Sequence, residues 1–345
     1  MIKILGKKPS GDRLKRIHNS PNFRDGAFQN IHNTPQLAEG YHFGKVMFDF
    51  FFRKPEDIKP PKPIPYLKTD LKTLPLDTDL LVWFGHSSYY FHLAGKRFLV
   101  DPVFSNSASP IPKTNKPFKG SNDYSAEDIP EIDYLLISHD HYDHLDYKTI
   151  KNLKPKVKQI ITGLGVGAHL EAWGYSAEAI NELDWNETLE LENDITLNTT
   201  SARHFSGRGF KRNQTLWLSF ILQTENFNLF LGGDSGYDTH FKEIGNKFGP
   251  FDLAILENGQ YNLAWHYIHM LPEEVLQAAQ DLRAKQLFPV HSGKFALALH
   301  SWDEPLKMIN EFNKDLKFPL VTPRIGEVVY FNNTSQQFSQ WWKEI

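Results

Sequence analysis

Residues 139–144 read His-Asp-His-Tyr-Asp-His, which puts four nitrogen and oxygen donors, His139, His141, Asp143 and His144, within six positions. They follow directly on the apolar run Leu135-Leu-Ile-Ser138. Alternate residues of an extended chain point the same way, so a strand ending here sends His139 and His141 to one side while the turn brings Asp143 and His144 round as a second group. Two adjacent sets of imidazole and carboxylate donors suit two divalent cations. A histidine-rich surface loop is the ordinary alternative, but it does not call for four donors at a strand exit.

A two-ion site needs more donors than one loop supplies, and three stand alone at the ends of other strand-like runs. His204 follows Ile195–Thr200, Asp234 ends Asn228-Leu-Phe-Leu-Gly-Gly-Asp234, and His291 ends Leu287-Phe-Pro-Val-His291. Each alone reads equally as a core or capping residue. Two divalent ions sharing a water lower its pKa toward neutrality and polarise an oxygen under attack, so the chemistry in view is hydrolysis.

The remaining composition narrows the class. No cysteine stands beside 15 histidines, which excludes disulfides, thiolate metal sites and thiol catalysis. A net charge of -3 removes the bulk electrostatic case for nucleic acid. No apolar run reaches the ~18 residues of a membrane span and no signal peptide opens the chain, so an intracellular, cytoplasmic protein is expected.

The elements that must position the donors are short. Strands are expected at Leu80–Phe84, Tyr89–Leu93, Arg97–Val100, Asp133–Ile137, Val157–Ile161, Leu189–Leu191, Ile195–Thr200, Thr215–Leu222, Asn228–Leu231, Leu253–Leu256, Leu287–Val290 and Val328–Phe331. Helices are expected near Val166–Trp173 and, with proline and acids in its first turn, at Pro272–Leu282. Prolines crowd residues 55–75 and predict an extended connector. That divides an arm with its connector, residues 1–75, from a catalytic domain, residues 76–345. The arm begins with six basic residues before Pro21 and continues into the Phe-rich Tyr41–Phe52. It is expected to be a solvated tail followed by a segment packing its Phe rings on the body, a membrane-surface contact being the alternative.

The order His-x-His-x-Asp-His, lone His, Gly233-Asp-Ser-Gly236 and Val290-His-Ser-Gly293 resembles the metallo-β-lactamase superfamily over roughly residues 80 to 332. The resemblance implies an α/β fold, a four-layer αββα sandwich with its metals at one edge of two sheets. Carried across residue by residue, His139, His141 and His204 hold one ion, Asp143, His144 and His291 the second, and Asp234 bridges. Zinc suits these donors first, with manganese and iron compatible. A metal-bound imidazole needs its other nitrogen fixed. Asp101 is the leading candidate for that, with Asp146 behind it; locally, Asp101 is also a turn residue before Pro102. His86, in the turn Gly85-His-Ser-Ser88, either faces the metals or is a hydrogen-bonded turn residue.

Val82–Ser88, Phe98–Ser105, His291–Leu297 and Trp265–Glu274 resemble the branch of that superfamily containing N-acylphosphatidylethanolamine-hydrolysing phospholipase D and its bacterial relatives. The resemblance implies a phosphodiesterase acting through a metal-generated hydroxide. Asp234 then orients the site, Asp143 accepts or relays the nucleophile's proton, and His269 serves the substrate phosphate or leaving group, unless it is simply a packed histidine. The stretch Glu257–Ala264 departs from the branch pattern. That leaves open a lactonase or small phosphate-ester hydrolase akin to L-ascorbate-6-phosphate lactonase, and further off an inactive metal binder. Lys294 is expected to be solvated, an anion contact being its alternative. The expected partner is a small molecule or phospholipid and not nucleic acid, with peripheral membrane contact and the oligomeric state, homodimer included, left open.

Overall fold

The computed structural model describes residues 2–111, 113–209 and 211–345. A 3-10 turn at Ile2–Leu5 leads to α1 (Gly11–Asn19), a small hairpin of β1 (Phe23–Arg24) and β2 (Ala27–Phe28), and α2 (Phe43–Phe52). Residues 53–79 carry no helix or ladder strand, as their prolines dictate. The body then runs β3 (Leu80–Trp83), β4 (Tyr89–Leu93), β5 (Lys96–Val100), β6 (Ile132–Ile137), α3 (Tyr147–Leu153), β7 (Val157–Gly163), α4 (Gly167–Ala172) and β8 (Ile180–Leu183). It continues through β9 (Thr188–Leu191), β10 (Ile195–Thr200), β11 (Ser219–Gln223), β12 (Asn228–Leu231), α5 (His240–Phe248), β13 (Leu253–Glu257), α6 (Pro272–Asp281), β14 (Leu287–Val290), α7 (Glu304–Leu316) and β15 (Val328–Tyr330).

Seven strands form one sheet, in the order β15-β3-β4-β5-β6-β7-β8, and six form the other, β14-β13-β12-β11-β10-β9. Side-chain alternation explains why the second sheet's strands are apolar throughout. Phe220, Leu222, Leu229, Leu231, Ile255 and Val290 enter the core shared with the first sheet. Their neighbours Ile221, Phe230, Ala254, Leu256 and Leu287 instead pack under Phe241 of α5, Val275 of α6 and Ile309 of α7. Trp83 of the first sheet meets Phe288 of the second edge to face, 6.0 Å between ring centres. Helices α3 and α4 sink Ile150, Leu153 and Leu170 into the same core. The result is the expected αββα sandwich.

Strands β5 to β8 run parallel, as do β12 to β14. In such sheets the crevice for a ligand lies beyond the carboxyl ends of the strands. Asp101 follows β5, His139 follows β6, Asp234 follows β12, Glu257 ends β13 and His291 follows β14.

The arm departs from expectation. Its basic start is no solvated tail: Arg13 donates to both Glu171 and Glu182, and Ile17 is buried. Nor do Phe43, Phe48 and Phe52 of the Phe-rich segment bury their rings: they are 69%, 50% and 74% exposed. Both outer faces of the sandwich are already taken by other helices, so α2 lies instead at the rim of the cavity described below.

Candidate metal centre

The loop after β6 is fixed from beneath before it presents any donor. Asp101 accepts from the Ser138 amide (2.8 Å), the Ser138 hydroxyl (2.5 Å) and His144 Nδ1 (2.8 Å). With its Nδ1 held there, His144 turns Nε2 inward. Asp140, which points away from the centre, accepts from the Gly207 amide (2.7 Å), Thr215 Oγ1 (2.9 Å) and His169 Nε2 (3.2 Å). The buried Arg208 guanidinium donates to the carbonyls of Asp140 and Leu145 at either end of the loop, 2.8 and 2.7 Å away.

The remaining donors arrive from the other sheet. His204 gives its Nδ1 proton to the Ile268 carbonyl (2.9 Å), leaving Nε2 3.2 Å from His141 Nδ1. His139 Nε2 lies 2.9 Å from the same His141 atom. Asp234 Oδ2 stands 3.1 Å from His144 Nε2 and 3.8 Å from both His139 Nε2 and His204 Nε2, while its Oδ1 is 3.1 Å from His291 Nδ1. Asp143 Oδ2 is 2.9 Å from His86 Nε2 and 3.6 Å from His144 Nε2. Asp234 therefore sits between two imidazole groups, His139/His141/His204 and His144/His291. Behind Asp234 the chain comes so close that a Cβ on Gly236 would stand 2.1 Å from the Tyr267 carbonyl oxygen, which only glycine permits.

Backbone strain gathers at these residues. Asp101, His86 and His291 all take left-handed φ values, 40°, 55° and 65°. Such conformations cost free energy outside glycine and persist where the surroundings enforce them, often at functional sites.

The donor chemistry fits cations. Burial holds His139, His204 and His291 well below the usual histidine range, so they are neutral and able to coordinate. Burial alone would raise the Asp143 and Asp234 carboxyls, but the surrounding histidines, His144 foremost, hold both well below the usual carboxylate range. The same two carboxylates, with Asp101, hold His144 well above the ordinary histidine value against its burial. The field of the cluster thus favours positive charge at its centre. Among the described residues His144 Nε2 and Asp234 Oδ1 are buried and, despite the 3.1 Å approaches of Asp234 Oδ2 and His291 Nδ1, have no partner in hydrogen-bonding geometry, an expensive arrangement unless a further ligand engages them.

His269 lies beside this cluster, its ring 5.0 Å from that of His204 and stacked on that of His291 at 5.3 Å. Its Nδ1 faces Glu257 Oε2 at 2.8 Å, and Glu257 Oε1 accepts from the Met270 amide at 2.6 Å. Burial pushes the Glu257 carboxyl up to about 7, and that carboxylate in turn holds His269 above its ordinary value in spite of burial. Sequence reasoning passed over Glu257. The signal was available: β12, β13 and β14 are parallel neighbours, and the middle strand also ends in an ionisable residue, between Asp234 and His291. Ser87, whose hydroxyl lies 2.9 Å from His291 Nδ1, was likewise missed.

Two expectations are corrected. Lys294 is not solvated but buried, donating to the carbonyls of Phe84 (3.1 Å) and Val103 (2.8 Å). It follows His291 back under the turn that carries His86, where no anion reaches it. Asp146 holds no imidazole. It caps α3 by accepting from the Lys148 and Thr149 amides, because the chain enters that helix directly after the loop.

A cavity of about 620 Å³ opens onto the cluster. His141, Asp143, Asp234, His269 and His291 form its floor, and Leu37, Phe43, Phe205, Trp265, Ile268 and Leu297 line its walls.

Residues 96–292 match the family described as Beta-lactamase superfamily domain. The chain belongs to the metallo-β-lactamase-fold hydrolases. It is 35% identical to an uncharacterized protein of Mycobacterium tuberculosis over 94% of this chain and 88% of that one. It is 33% identical to the N-acyl-phosphatidylethanolamine-hydrolyzing phospholipase D 1 of Caenorhabditis elegans, over 71% of this chain and 74% of the relative. Among solved structures, a metallo hydrolase of Ignicoccus hospitalis superimposes with a TM-score of 0.55 at 20% identity, covering 73% of this chain and 97% of that one. This last likeness carries the fold alone.

Proposed function

We propose that His139, His141, His204, Asp143, His144, His291 and Asp234 hold two divalent ions, zinc first, and that the protein hydrolyses a phosphodiester of the N-acylphosphatidylethanolamine kind. The observation that carries this reading is the cavity, whose charged floor is the ligand cluster and whose walls are mostly apolar, with Gln36, Arg212 and Gln260 set among them. An amphiphile fits that division, with its phosphate on the floor and its acyl chains along Leu37, Phe205 and Ile268. The phospholipase D of C. elegans supports it as a relative.

Two such ions supply a hydroxide nucleophile at neutral pH and neutralise charge on the substrate oxygens. The chain does the rest. Asp143, its Oδ2 steered by His86, is placed to accept the nucleophile's proton. His269, with Nδ1 committed to Glu257, is left with Nε2 for the phosphate or the departing oxygen. The exposed rings of α2, beside Lys45, Arg53 and Lys54, suit contact with an anionic lipid surface that delivers such a substrate.

The test is turnover by metal-loaded protein of bis(p-nitrophenyl) phosphate, an N-acylphosphatidylethanolamine and an acyl lactone. Hydrolysis of the first two, abolished in Asp234→Asn, is expected. Turnover of the lactone alone would replace the substrate class. No turnover of any of the three by protein shown to carry both ions would overturn the enzymatic reading.

A further inference from the structure

His204 sits in a segment, residues 201–218, whose described residues form neither helix nor strand, yet it must hold a buried imidazole in place beside His139 and His141. The neighbouring Arg203 peptide is held by Ser235 and Gly236 after β12, but among the described residues no group of its own sheet meets the His204 amide or carbonyl. The arm does. Asn30 accepts from the His204 amide through Oδ1 (3.1 Å) and donates from Nδ2 to the His204 carbonyl (2.8 Å), gripping both peptide groups of one residue. Its Oδ1 also accepts from Trp217 Nε1 at 3.1 Å.

The grip is anchored on either side. The hairpin of β1 and β2 turns at Asp25-Gly26, both with left-handed φ, and delivers Phe28 into the core with no exposed surface. The Phe28 amide donates to the Asn213 carbonyl (2.9 Å), and Asn213 Nδ2 donates back to the Phe28 carbonyl (3.2 Å). Beyond Asn30, Arg203 donates from Nε to Thr34 Oγ1 (3.0 Å) and from Nη2 to the Asn33 carbonyl (3.1 Å). The loop bearing His204 is therefore clamped by arm residues before, at and after Asn30.

We propose that the N-terminal arm is a working part of the metal centre, with Asn30 the positioning residue for His204. This rests on the two-ion reading of the cluster. Removing the outer contacts of a metal ligand commonly costs 10- to 100-fold in metal affinity, and Asn30 acts through the backbone of the ligand instead of its ring.

Zinc affinity by competition with a chelating dye, and the visible spectrum of the cobalt-substituted protein, distinguish this from a general structural role. Asn30→Ala is expected to bind zinc at least about 10-fold more weakly and to shift the cobalt bands. Asn30→Asp, which keeps the acceptor and loses the donor, should fall between it and wild type. Asn33→Ala, which alters only a side chain outside the clamp, should match wild type. Wild-type affinity and spectrum in both Asn30 variants would overturn the inference while leaving the two-ion reading intact. Should Asn30→Ala not fold, Asn30→Asp decides alone, an unchanged affinity counting against the proposal. A wild-type protein that takes up no metal overturns the two-ion reading and this inference with it.

Discussion

The Lys294 ammonium has two carbonyl acceptors and, among the described residues, no ion-pair partner. Burial brings its pKa down to about 7 from the ordinary 10.5, with distant Asp146 opposing weakly. Between those values the unfolded chain is protonated at this position and the folded chain is not. Protons are then released on folding, so stability rises with pH across the window, by roughly 2 kcal/mol between pH 7 and 9 from this group alone. Lys294→Met should remove that part of the slope. Urea unfolding of both proteins at pH 7, 8 and 9 checks it, and parallel curves would show that the ammonium stays charged. Asp101 presents the opposite case, a carboxylate whose value lies in what it holds. Asp101→Asn can no longer accept from both His144 Nδ1 and Ser138 as an anion, and zinc affinity should drop by about 10- to 100-fold in a dye-competition titration.

At the scale of elements, what was legible in the sequence followed burial pattern. Strands β4, β12 and β14 lie where mainly apolar runs between turn residues predicted them, β10 where Ile195 and Leu197 alternate with polar residues, and α6 announces itself through Pro272 and two acids. The expected strand at Thr215–Leu222 starts only at Ser219, since Leu216 and Leu218 hydrogen-bond outside their own sheet, to Leu164 and Ser138. Helices α1, α3, α5 and α7 went unseen because each buries one narrow stripe beneath many polar residues, as α5 does with Phe241 and Ile244. The site was more readable than the fold around it: the seven proposed ligands were picked out by motif, whereas Glu257, Asn30 and Arg208 matter through contacts spanning long stretches of chain. Helix α2 offers a prediction at this scale. Phe48 and Phe52 already face water, so Phe48→Ser/Phe52→Ser should leave the melting temperature nearly unchanged. The same variant should pellet several-fold less with vesicles containing anionic lipid. Equal pelleting would remove α2 from the membrane reading.

For the molecule as a whole, the cluster gathers donors from both sheets at one edge. His139, His141, Asp143 and His144 leave the seven-stranded sheet, and His204, Asp234 and His291 leave the six-stranded one. Ions bound among them would tie both halves of the sandwich at one edge. They would also answer two buried carboxylates, Asp143 and Asp234, for which His144 is otherwise the foremost countercharge. A ligand that binds only the folded state at 1,000 times its Kd stabilises by about 4 kcal/mol, which for a chain of this length amounts to several degrees in melting temperature. Chelation should lower the melting temperature by at least about 5 °C, and added zinc should restore it. Asp234→Asn should melt at nearly the same temperature with or without chelator, because the residue facing both imidazole groups has lost its charge. A wild-type melting temperature that does not move after metal analysis confirms removal would mean that the protein's own contacts, such as Trp83 on Phe288 and the Leu218 amide on the Ser138 carbonyl, hold the sheets without the ions, and that the ions serve chemistry alone.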